Sequence, residues 1–101
     1  MNEWKKTKID YELWIHRIPD DLKPPLPPER EHLQETYEVW KRVFDAKVCW
    51  RIARIDEWNN LWIDIRFKND AGELEDHSLA VDEDCYEKIE SAEYEVEVEL
   101  P

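Results

Sequence analysis

The chain has one glycine, Gly72, and two cysteines, Cys49 and Cys85, in 101 residues. One glycine cannot build the Gly-rich cradle that phosphate-binding loops need. Two thiols do not make a disulfide scaffold. Each reads as a small hydrophobe rather than a nucleophile: Cys49 lies inside a predicted strand, and Cys85 is near His77 in sequence only. No Cys-x-x-Cys or His-x-x-x-His pair occurs, and His16, His32 and His77 are scattered. Spacing therefore points to no metal site. The stretch DEDCYE offers Asp82 and Asp84 to a hard cation. It lacks the glycine and the ligand ladder of a calcium loop, so it reads as a solvated acidic turn. Carboxylates are so numerous that their pairing carries no catalytic information. The expectation is a protein with no catalytic residues and no cofactor, not an enzyme.

Long apolar runs are missing too. None approaches the ~20 residues of a membrane-spanning helix. The opening MNEWKKTKID has lysines but no apolar stretch behind them, unlike a secretory leader. A soluble cytoplasmic protein with no membrane contact is the expectation.

Basic residues are nearly absent from the last third. Between Asn69 and Pro101 thirteen acids face a single base, Lys88, while the first 68 residues are neutral. The whole net charge of −12 lies in that last third. Direct nucleic-acid binding there is disfavoured, and a basic protein partner is attracted.

What the chain does hold is charge and tryptophan. Charged residues make up 40% of it, against an ordinary ~25%. Six tryptophans, each able to bury on the order of 150–250 Å², argue for a packed core. The length suits a single domain over 1–101.

Residues 5–18 fit either a strand or a helix face. Ile9, Tyr11, Leu13 and Ile15 alternate with polar residues, and the β-branched and aromatic content favours a strand. Residues 19–28 are proline-rich and read as an extended spacer. Pro25, Pro28 and Arg30 have the spacing of a polyproline ligand. Arg30, however, falls in the first turn of the next element, so the spacer reading prevails. Residues 29–45 predict a helix, with Leu33, Tyr37, Trp40 and Phe44 as its apolar stripe.

From 47 to 101 the period is two. Val48, Trp50 and Ile52 predict one face of a strand over 48–55. Leu61, Ile63, Ile65 and Phe67 predict the inner face of another, and Asn69–Gly72 a hairpin turn. Residues 73–81 read as a strand of open register, and DEDCYEKIE as a helical turn. The last strand puts Tyr94, Val96, Val98 and Leu100 on one side and Glu93, Glu95, Glu97 and Glu99 on the other. The sum is an α+β fold, one amphipathic helix on an antiparallel meander of four to five strands. An SH3-like barrel in the C-terminal half is the alternative curl.

Two features suggest contact with a partner. Trp58 falls in a loop tip, and Trp62 points away from the Ile63 and Ile65 face. The row Glu93, Glu95, Glu97 and Glu99 repels itself unless cations stand opposite, with Arg51, Arg54, Arg66 and Lys68 as candidates. The expected function is a small acidic protein that binds a basic partner, as inhibitors and immunity-type proteins do. The alternatives are an aromatic binding surface for a peptide or small ligand and a self-associating structural subunit forming a homo-oligomer.

Overall fold

The computed structural model describes residues 3–22, 28 and 33–100. Apart from Pro28, the proline stretch from 23 on and positions 29–32 lie outside the described residues, and with them Pro25, Arg30 and the expected first turn of the helix.

Strand β1 spans Glu3–Ile15. Helix α1 spans Gln34–Asp45. Two short strands follow, β2 at Cys49–Trp50 and β3 at Arg54–Ile55. Strands β4, Leu61–Lys68, and β5, Leu74–Val81, form a hairpin. The long strand β6 runs Tyr86–Leu100. One curled, half-barrel sheet takes them in the order β2-β1-β6-β3-β4-β5.

This corrects the expected meander in three ways. The sheet has six strands, and β3 runs parallel to β6. The 48–55 segment is not one strand: Trp50 pairs with Leu13 of β1, while Arg54 pairs with Glu97 of β6 and Trp62 of β4. Val48, expected on one face with Trp50 and Ile52, is 50% exposed, while Ile52 is buried. The C-terminal half also does not close into its own barrel, because β6 pairs with β1 from Leu100 back to Tyr86.

The reason lies in the β1–β6 ribbon. Its register jumps from Ile9↔Tyr94 to Tyr11↔Glu90, so three residues of β6 oppose Asp10 alone. Such a bulge bends and twists a ribbon. Only Arg51–Ala53 separate β2 from β3, and four residue steps reach about 14 Å at most. The ribbon must bend for that segment to touch both of its ends. The Tyr94 hydroxyl sits at the bend, donating to the Tyr11 carbonyl at 2.6 Å and accepting the Ile52 amide at 3.0 Å.

β6 starts earlier than DEDCYEKIE suggested. The helical turn is only the 3-10 turn Glu83–Cys85, and Tyr86 onward is strand. Buried Cys85 anchors the turn, and its carbonyl accepts the His16 amide at 2.9 Å. From there Tyr86–Glu90 pair with Tyr11–Ile15 along the edge of β1, and the ladder bonds gained outweigh a local helical pattern.

α1 packs through Val39, Trp40 and Val43, with Trp40 only 2% exposed. Leu33 and Tyr37 pack at the margin of the core. Phe44 turns aside, with the Lys47 ammonium 4.2 Å over its ring. The buried stripe is thus rotated toward Val39 and Val43 from the one expected. Opposite it stand Leu13, Ile15, Ile63, Ile65, Leu79, Val81 and Val96, all buried. Each such side chain contributes roughly 1.5–3 kcal/mol. The β4 alternation is as expected, and β5 now has a register, with Leu79 and Val81 inward. The Asn69–Gly72 turn also matches: Gly72 has φ 81°, and its amide donates to the Asn69 carbonyl.

Candidate functional site

Between β3 and β4 the chain reverses over Asp56–Asn60. Asp56 is 8% exposed, the one buried charged residue among those described. Its Oδ1 accepts the amides of Trp58 and Asn60, at 3.0 and 2.8 Å. Its Oδ2 accepts the Asn60 side-chain amide and the Trp62 indole N–H, at 3.1 and 3.0 Å. Burial alone would raise the carboxyl pKa; the bonds from Trp62, Asn60 and Trp58 outweigh it and hold the pKa below the usual aspartate value. Asn59 closes the turn at φ 64°, a left-handed conformation that asparagine tolerates.

This fixed turn holds Trp58 out at its tip, 72% exposed. Beside it lies an open groove of about 870 Å³. Tyr11 of β1 and Tyr86 of β6 line one side, and Asp82 and Glu83 line the rim. Lys88 enters as well, its Nζ 4.7 Å over the Tyr11 ring. Burial, and then Glu83, raise the Tyr86 pKa, so the groove presents a neutral phenol. Aromatic faces beside carboxylates suit a side chain with an apolar stem and a cationic end.

The structure separates the residues singled out in the sequence. Trp58 alone of the six lines the groove. Trp62 does face outward, but the Arg54 guanidinium covers its ring at 4.3 Å, and its indole N–H is spent on Asp56. The glutamates form a row on the outer face of β6. Glu95 stands opposite Lys8, Glu97 opposite Lys6, and Glu99 opposite Trp4, while Glu93 lies in the bulge. Arg54 flanks Glu97 from β3. A lateral ladder Lys6–Glu97–Arg54–Trp62 therefore crosses four strands with alternating charge. Of the expected cations Arg54 takes part. Arg51 pairs instead with Glu12 at 3.4 Å, Arg66 pairs with Asp76 at 2.6 Å, and Lys68 faces Leu74.

Sequence reasoning did not single out Tyr11, Tyr86 or Lys88. The groove exists only because β1 and β6 pair across the length of the chain, which no local pattern encodes. Asp82 and Glu83 carried a signal, their acidity, but were read as a solvated turn.

Two clusters among the described residues bring metal-ligating atoms within 4.8 Å of one another: Glu35, Glu75 and His77, and Asp82, Asp84 and Cys85. In the second, burial and the adjacent Asp84 and Asp82 push the Cys85 thiol up to about 11, which keeps its sulfur protonated. Arg17 also approaches Asp84, at 3.6 Å. No helix among the described residues is long and apolar enough to cross a membrane. The chain matches no protein-family model, no curated protein and no solved structure, so its own residues carry the functional reading.

Proposed function

We propose that this protein acts by binding a basic segment of another protein, with Trp58 as its anchor, rather than by catalysis. The observation that carries this reading is the Asp56 turn. A buried carboxylate with four hydrogen bonds holds a tryptophan in water at the mouth of a tyrosine-lined groove. A large aromatic kept exposed on a rigid support loses little entropy when it is covered, which favours association. Asp82 and Glu83 on the rim select for positive charge, and the net charge of −12 steers such a partner inward. The same groove would take a basic peptide in isolation.

The test is affinity capture from the source cell with wild type and Trp58→Ala at low and at high salt. Basic proteins retained by wild type at low salt, and lost by the variant, support the reading. Identical capture by both proteins refutes it. Trp58→Ala leaves folding intact, because the side chain is mostly in water.

A further inference from the structure

On β5 the inner-face positions run Val81, Leu79, His77 and Glu75. The first two are buried apolar residues and the last two are half-buried and polar. The chain thus places an imidazole and a carboxylate on the core-facing side of the sheet, where the same strand otherwise carries leucine and valine. Glu35, in the first turn of α1, completes the group from above. His77 Nε2 lies 3.0 Å from Glu75 Oε1. The imidazole is fixed by stacking on Phe67, with ring centroids 5.4 Å apart and 12° between planes. A recess of about 100 Å³ opens there, bounded also by Glu38, Arg42 and Asn69. That is room for an ion and two or three waters at ~30 Å³ each.

We propose that Glu35, Glu75 and His77 form a binding site for a divalent cation of the zinc type. One nitrogen and two oxygens from two rigid elements are a zinc-like donor set with a position left for water. Bonds of ~2.0–2.1 Å in a tetrahedron put neighbouring ligand atoms about 3.3 Å apart. The 3.0 Å contact between His77 and Glu75 needs to open only slightly, and the 4.8 Å limit on the group leaves Glu35 a short movement. Four carboxylates, Glu35, Glu38, Asp70 and Glu75, surround the recess against one guanidinium, that of Arg42. Arg42 is occupied over the Phe67 ring at 4.0 Å. Magnesium and calcium, which take all-oxygen shells, fit this set poorly. The competing reading is that Glu75 and His77 only pair with each other, as inward charges that discourage pairing at an edge strand.

Zn²⁺ titrated calorimetrically into the chelator-stripped full chain separates the two. The proposal expects saturable binding of one ion per chain that persists in about 1 M salt, where screening shortens to ~3 Å. It expects His77→Ala to weaken binding at least about tenfold, Glu35→Gln to weaken it less, and Mg²⁺ to give no signal. Glu35 is exposed, so its variant stays folded even if His77→Ala loosens β5. A nitrogen NMR shift confined to His77 on adding Zn²⁺ supports the site independently. Absence of saturable binding overturns the proposal, as does binding abolished by salt. Unchanged affinity in both Glu35→Gln and His77→Ala does the same.

Discussion

The indole N–H of Trp62 donates to the buried carboxylate of Asp56, six residues earlier, at 3.0 Å. One tryptophan thereby locks the turn that displays another. Replacing Asp56 with alanine strands that N–H and the amides of Trp58 and Asn60 near the core. Hydrogen bonds to a charged acceptor contribute ~1.5–3 kcal/mol each, and water recovers part of the loss at so shallow a site. Asp56→Ala is expected to lower unfolding stability by about 2 kcal/mol. It should also release Trp58 and weaken partner binding. Denaturant unfolding and the chemical-shift order of the Trp58 indole check this together.

The same carboxylate sets an acid limit. Its pKa in the folded state lies below the ordinary unfolded value of ~3.9. The folded chain therefore favours the ionised form. The stabilisation is fully present above the unfolded value and is lost as pH falls through it toward the folded one. Unfolding midpoints measured from neutral pH down past about 4 should fall less steeply in Asp56→Asn than in wild type. Parallel profiles would remove Asp56 from the account of acid sensitivity.

Tyr94 makes the second tie, and this one is long-range. Its hydroxyl bridges the Ile52 amide and the Tyr11 carbonyl at the ribbon bend. Tyr94→Phe keeps the ring and removes the bridge, leaving both backbone groups without it. A cost of ~1–3 kcal/mol is expected. Hydrogen exchange should quicken at Ile52, the residue between the two short strands. An unchanged exchange rate at Ile52 would mean that the bridge does not hold the crossing segment.

These two ties mark where the fold was legible in the sequence and where it was not. The β4 face and the Asn69–Gly72 turn follow from period-two alternation and from the one glycine. Trp58 at a loop tip follows from the asparagines beside it. The split of Val48–Ile55 does not, because its alternation suits one straight strand equally well. The split is decided by Tyr94 and by the bulge at Asp10, partners more than 40 residues away. Tyr86–Glu90 likewise has a helical look that the edge of β1 overrides. The groove was hidden for the same reason: Tyr11 and Tyr86 meet only through pairing of β1 with β6.

The two thiols should differ in reactivity. Cys85 is buried, and burial with the nearby Asp84 and Asp82 pushes its pKa up to about 11. At pH 8 about one molecule in a thousand carries the thiolate that reacts. Cys49 is half-buried on the outer face of the edge strand β2. An alkylating reagent at pH 8 is expected to modify Cys49 first and Cys85 only on unfolding. Mass spectrometry of the partially labelled protein reads the order directly, and early labelling of Cys85 would contradict its burial at the end of the 3-10 turn.

The glutamate row raises the question of which carboxylates a basic partner feels. Glu95 and Glu97 stand opposite Lys8 and Lys6, with Arg54 on the other side of Glu97. Their field is answered within the sheet; Asp82 and Glu83 line the groove beside Trp58, together with Lys88. Steering depends on the field at the docking site itself, where distance counts most. Glu95→Gln with Glu97→Gln is therefore expected to leave association with a captured basic partner within about twofold of wild type, since mutual exposed pairs contribute at most ~1 kcal/mol. Asp82→Asn with Glu83→Gln removes the same number of charges and should slow association markedly and flatten its salt dependence. Stopped-flow rates for the two double variants, at matched ionic strength, compare location with equal net charge. If the β6 pair slows binding as much as the rim pair, the row itself guides the partner, and the docking surface extends from the groove across the outer face of the sheet.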